Sequence, residues 1–171
     1  MSQRLLVGLG NADRGDDAIG PVVARAVREL GLPGVRVLEH EDPVGLIDLW
    51  SGHDVAVVVD AVRSGRPAGT LHHLETGAGS APLPPSAWAD AGREGTHAFG
   101  VAAVVELARA LQRLPARLVV VGVEAGGFDH GAPLTPAVAD AVAGAVAVVR
   151  SALAADEAAR ARPGPARAGP G

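Results

Sequence analysis

The chain has 171 residues and a formal net charge of -4, from 15 basic residues, every one an arginine, against 19 acidic ones. Its apolar content of 48% is carried mainly by Ala, Val and Leu, with Trp50, Trp88, Phe99 and Phe128 as the aromatics. Such a chain is long enough for one aliphatic core, and the lack of cysteine and of a basic stripe excludes disulfide scaffolds, zinc-thiolate sites, a cysteine nucleophile and a nucleic-acid surface.

In chain order, Arg4 to Leu9 is a short apolar run closing on glycines, which reads as a strand. Ile19, Val22, Val23, Ala26, Val27 and Leu30 then recur at helical spacing, and Gly31, Pro33 and Gly34 end that helix. Val35 to Leu38 reads as a second strand and Pro43 to Trp50 as a short helix. Val55 to Val59 is continuously apolar and is ended by Asp60, the pattern of a central strand covered on both faces. Thr70 to Leu74 is a shorter, more polar strand, and Thr76 to Gly95, rich in Gly, Ala, Pro and Ser, reads as a long loop. Helical periodicity returns from Ala98 to Leu111, Leu118 to Val123 is another apolar strand, and Pro136 to Leu153 is a last helix with Thr135 as its cap.

The order βαβαββαβα predicts an α/β fold, a single-domain three-layer sandwich over residues 1–153 with a mostly parallel twisted sheet of about five strands and helices on both faces. The Ala/Arg/Gly/Pro-rich tail, 154–171, is expected to be disordered. No charged leader precedes an apolar stretch and no apolar run approaches the roughly 18 residues of a membrane span. A cytoplasmic protein without membrane or nucleic-acid partners is the expectation.

In such a sheet ligands bind beyond the carboxyl ends of the strands. Four places qualify: the loop Gly10 to Asp17, His40 to Asp42, Asp60, and Glu124 to His130, with His97 joining them if it opens the following helix. The first loop begins like a dinucleotide fingerprint, but Asp13 stands where a third glycine is needed, and Asp16 with Asp17 would repel a pyrophosphate. These two aspartates read either as caps for the helix starting near Ala18 or as ligands to a cation. Asp60 reads as a strand terminator or a ligand, and His97 as a cap, a surface residue or a ligand. Together, Asp17, Asp60 and His97 would make an oxygen and nitrogen set open to nickel, zinc, iron or manganese. His40 and His130 lie on the same edge as candidates to support a ligand or touch substrate, whereas His53, His72 and His73 read as surface or packing residues. No Gly-x-Ser-x-Gly elbow is present.

Four segments carry a resemblance. Val7-Gly8-Leu9-Gly10-Asn11 with Arg14-Gly15-Asp16-Asp17-Ala18-Ile19-Gly20, then Val58-Val59-Asp60-Ala61-Val62, then Thr96-His97-Ala98-Phe99-Gly100, and last Val121-Gly122-Val123-Glu124 with Leu134-Thr135-Pro136 resemble, in order, the signatures of the hydrogenase maturation protease family. The resemblance implies a sheet with helices on both faces. It further implies an endopeptidase that removes the C-terminal extension of a nickel-iron hydrogenase large-subunit precursor once nickel is inserted. Asp17, Asp60 and His97 match the family's nickel-contacting positions and are the implied catalytic and metal-contacting residues, with Asp17 where Glu is common. The metal is nickel carried by the substrate, for which other divalent cations are expected to substitute in vitro. The partner is the hydrogenase precursor, and the enzyme itself is a monomer or weak oligomer. His40-Glu41-Asp42-Pro43 replaces the usual Gly-Gly-Thr type loop, which points to a different group of substrates. The alternatives are a metal-binding chaperone that grips the precursor without cutting it, and, more remotely, a nucleotide-binding module on the Gly8 to Gly15 loop.

Overall fold

A β-branched, doubly buried strand needs cover on both sides, and the chain supplies it with helices from alternate crossovers. The computed structural model describes residues 3–89 and 98–160. Its strands are β1 (Arg4–Leu9), β2 (Val35–His40), β3 (Val55–Val62), β4 (Leu71–Thr76) and β5 (Arg117–Glu124). Its helices are α1 (Ile19–Glu29), α2 (Leu46–Trp50), α3 (Pro85–Ala89), α4 (Ala98–Ala110) and α5 (Pro136–Arg160), with 3-10 turns at Gly15–Ala18 and Pro43–Gly45. The sheet order is β2-β1-β3-β5-β4.

Four strands are parallel, and β4 runs antiparallel to β5. The reason is length. Residues 63–70 are too few to recross the sheet, so the chain leaving β3 turns back at the same edge and enters β4 in the opposite sense. All of β3, and all of β5 but Arg117, is buried, as the unbroken apolar runs predict.

Side chains alternate between two aliphatic layers. On one face Leu6, Val57, Val59, Val119 and Val121 pack with Ile19, Val23 and Val27 of α1 and with Val138, Ala145, Val149 and Leu153 of α5. On the other, Leu5, Val7, Ala56, Val58, Leu118 and Val120 meet Leu46, Ile47 and Trp50 of α2 and Val101, Val104, Val105 and Ala108 of α4. Trp50 is fully buried and donates its indole N–H to the carbonyl of Arg113 at 3.0 Å, so this large ring needs no water.

Several boundaries differ from the sequence reading. The loop from Thr76 contains the short helix α3, which Pro85 can open because its missing N–H is not needed in a first turn. Strand β3 continues through Asp60 to Val62 because β5 pairs with it along that whole length. Helix α5 runs to Arg160 rather than stopping near Leu153, since nothing between the two breaks a helix. The expectation that no segment reaches membrane length also needs correction, because Pro136–Ala154 has the length and apolarity of a span, with a mean hydropathy of 1.7. Here Val138, Ala145, Val149, Ala152 and Leu153 form a buried stripe that seats this helix on the sheet.

Candidate functional site

Helix α1 begins almost in backbone contact with the strand ends. A Cβ on Gly8 would overlap the carbonyl of Gly20, and one on Gly20 would overlap that of Leu9 while standing 2.6 Å from the carbonyl oxygen of Val59. Glycine at both positions therefore lets the first turn of α1 sit over the ends of β1 and β3. Gly10 leaves β1 at φ +133, a conformation that side chains disfavour, and a Cβ there would overlap the carbonyl of Asp17. These contacts bring the 3-10 turn Gly15–Ala18 down onto β3.

The turn carries two buried carboxylates with different surroundings. Asp16 is fully buried and accepts four hydrogen bonds: Oδ1 from the Thr135 N–H at 2.7 Å, and Oδ2 from the N–H groups of Gly126 and Gly127 at 2.7 and 3.0 Å and from the Thr135 hydroxyl at 2.9 Å. It ties the loop after β1 to the loop after β5 and to the start of α5, where a negative charge favours the helix dipole. The N-cap residues of the turn and of α1, Arg14 and Ala18, make no side-chain cap, and the four bonds of Asp16 all go to the loop after β5 and to Thr135, so Asp16 does not cap α1. Thr135 does stand at the start of α5, its carbonyl accepting the Ala139 N–H at 2.9 Å, but its hydroxyl is spent on Asp16.

Asp17 is 3% exposed, and its Oδ2 accepts the Asn11 N–H at 3.0 Å. Asp60 is 1% exposed and belongs to β3. Gly8 pairs with Val59, so β1 ends level with Asp60, and Asp60 pairs in turn with Gly122 of β5. The two aspartates that the sequence singles out thus lie buried at one carboxyl edge, on the loop after β1 and at the end of β3. His97 lies outside the described residues; along the chain it immediately precedes α4, which covers the face of the sheet shared by Ala56 and Val58. Among the described residues no three or more His, Asp and Glu side chains gather into a metal site.

His40 ends β2 beside Leu9, against Gly45, and its Nε2 is buried without a hydrogen-bond partner among the described residues. Close by, Pro43 rests on Gly100 in the first turn of α4, so the rim made by residues 40–43 adjoins that helix. His130 is exposed.

Glu124 and His72, which the sequence offers as the start of a loop and as a surface or packing residue, meet beyond the predicted trio. Glu124, 1% exposed at the end of β5, accepts the N–H groups of Ser64 and Gly65 at 2.7 and 2.9 Å and the Ser64 hydroxyl at 2.8 Å. Its Oε2 also lies 3.1 Å from Nε2 of His72. Burial alone pushes the Glu124 carboxyl up, but the Ser64 hydroxyl, the His72 ring and the two main-chain N–H groups outweigh it and hold it below the usual glutamate range. An ionised carboxylate only accepts, so His72 carries the hydrogen on Nε2. His72 lies opposite Gly122, on the other side of which stands Asp60, and lines a cavity of about 290 Å³ with Val62, Leu74, Ala87 and Val120. The alternation of His72 and His73 across β4 hid this pairing, because its partner comes from 52 residues away.

A family model described as hydrogenase maturation protease matches residues 41–152, which include Asp60 and His97 and follow Asp17. Among curated proteins no match is found. Among solved structures, the chain is similar to the hydrogenase maturating endopeptidase HybD from E. coli, with 25% identity and a TM-score of 0.71 over 91% of this chain and 94% of that one. It is similar also to an endopeptidase from Escherichia coli, at 25% identity and a TM-score of 0.77, with the same 91% and 94% coverage. The [NiFe] hydrogenase maturation protease HybD from Thermococcus kodakarensis shares the fold, at 22% identity and a TM-score of 0.66 over 90% of this chain and 99% of that one. With the family model covering well over half of its length, the chain belongs to the hydrogenase maturation protease family.

Proposed function

We propose that the chain is an endopeptidase of the cytoplasm that removes the C-terminal extension from the large-subunit precursor of a nickel-iron hydrogenase, and that nickel held by the precursor is its recognition element. The observation that carries this reading is the burial of Asp17 and Asp60 at one carboxyl edge of the sheet. Carboxylates withdrawn from water gain from a cation that arrives with the substrate. A precursor without nickel then binds weakly, so cutting waits for metal insertion. His97 is the third expected contact, and another divalent cation can take nickel's place in vitro.

In the cut, a water attacks the scissile carbonyl while Asp17 or Asp60 accepts its proton, and that proton passes to the leaving amine as the C–N bond breaks. Nickel, as part of the substrate, orients the chain for that attack. The rim from His40 to Pro43 meets the surface of the precursor around its tail and sets which large subunit is accepted.

The test is incubation of the purified chain with nickel-loaded and nickel-free precursor, followed by mass measurement of the large subunit. Shortening of the loaded form alone is expected. Equal shortening of both would remove nickel as the key, and shortening of neither would remove the protease.

A further inference from the structure

The pair of Glu124 and His72 takes no part in the proposed cut, yet it borders Asp60. Ala56 and Val58 of β3 face α4, so by strand alternation Asp60 and Val62 face the same way. Val120 and Leu74 pack on that face as well. With Val62, Ala87, Gly122 and His72 they line the cavity of about 290 Å³, close to the smallest volume at which ligand sites are usually found.

The strand register ties this cavity to the acidic edge. Gly122 stands between Asp60 and His72, and neighbouring strands lie about 5 Å apart, so the floor of the cavity begins one strand away from Asp60. Glycine keeps that floor low, because a Cβ on Gly122 would stand 2.9 Å from Cγ1 of Val62 and 3.4 Å from Cβ of His72. An extended peptide advances about 3.4 Å per residue. A chain whose scissile carbonyl lies at Asp60 therefore brings a side chain one to three residues away over the cavity.

The walls select what enters. Val62, Leu74, Ala87 and Val120 offer aliphatic surface. Nε2 of His72 is committed to Glu124, and among the described residues Nδ1 has no partner of its own. The carboxylate fixes the tautomer and the set of the ring, which leaves Nδ1 of the neutral imidazole as an acceptor. The negative charge behind the ring turns an anion away. An apolar stem with an N–H or O–H at its tip fits both parts of the cavity.

We propose that this cavity holds one donor-tipped side chain of the precursor flanking the cut, and that His72, set by Glu124, determines which side chain is accepted. The proposal rests on the protease reading for the identity of the partner.

The test follows shortening of nickel-loaded precursor by the full chain, with binding of fluorescently labelled precursor measured in parallel. The three precursor residues on each side of the cut are changed to alanine one at a time. One position should lose about tenfold or more in kcat/KM, and leucine there, which fills space without a donor, should lose about tenfold as well. His72→Gln keeps an N–H for Glu124 and drops Nδ1. It should slow the native precursor by about tenfold and lose nothing further on the leucine precursor. Ala87→Leu fills the cavity and should likewise erase the cost of the alanine change.

Wild-type kinetics in both variants, or equal losses on every precursor, would overturn the pocket. A leucine precursor processed as well as the native one would overturn the role of His72. Thermal melts separate lost fit from lost folding, and Ala87→Leu carries the test if His72→Gln does not fold. A wild-type chain that binds precursor with this same pattern yet never shortens it would keep the pocket and sink the protease. One that does not bind it would overturn the pocket too.

Discussion

Asp16 takes hold of Thr135 twice, accepting its main-chain N–H at 2.7 Å and its hydroxyl at 2.9 Å, across 119 residues of chain. With the N–H groups of Gly126 and Gly127 on the same carboxylate, this one side chain satisfies four donors in a water-poor place. Asp16→Ala leaves all four without an acceptor and should cost about 3 kcal/mol or more of stability. Chemical denaturation checks this, and a loss below about 1 kcal/mol would mean that these donors find other partners.

Asp17 and Asp60 should behave in the opposite way. Asparagine keeps the shape of each side chain and removes its charge, so Asp17→Asn and Asp60→Asn are expected to leave the fold intact while processing of the precursor falls by about a hundredfold or more. Melting curves and single-turnover shortening of nickel-loaded precursor read the two effects. Normal processing by either variant would clear that residue of a chemical role.

Glu124 makes a pH-dependent contribution whose sign is fixed by its depressed carboxyl. The folded pKa lies below the unfolded one, so the contribution is complete above the ordinary glutamate value of about 4.3 and is lost as the pH falls toward the folded value. Glu124→Gln is therefore expected to be less stable than wild type at pH 7, with the gap narrowing in acid. A gap of constant size from pH 7 to pH 3 would show that the charge contributes nothing.

Gly20→Ala tests the contact between α1 and the strand ends. The added methyl meets the carbonyls of Leu9 and Val59, which are sheet backbone and cannot swing aside. A destabilisation of about 3 kcal/mol or more is expected from such overpacking, against the gain of about 1 kcal/mol that alanine normally has over glycine in a helix. Urea titration measures it.

The sequence revealed elements better than pairings. The runs Leu5-Leu6-Val7, Val55 to Val59 and Leu118 to Val123 could only be buried strands, and the periodicity from Ile19 to Leu30 could only be a helix on them. The placing of Asp17 and Asp60 at the carboxyl edge followed from that alternation, because loops after parallel strands gather on one side. What stayed hidden depends on partners remote in the chain. Asp16 looked like a cap because its donors lie more than 100 residues away. Asp60 reads as a strand terminator because a charge directly follows five apolar residues, whereas β5 stays paired with β3 through and beyond it. His72 reads as a surface or packing residue until Glu124 comes alongside. Arg14 and Arg63 both lie over the ring of Phe128, and the three come from different loops, a combination that no local spacing encodes.

The bare contact of α1 with β1 and β3 has a mechanical result. With carbonyls rather than pliable side chains between helix and sheet, the turn holding Asp17 has no cushion on which to rock, so it keeps station over the strand that carries Asp60. Under the proposed function, an ion arriving with the substrate would therefore spend little of its binding energy on bringing the turn to the strand.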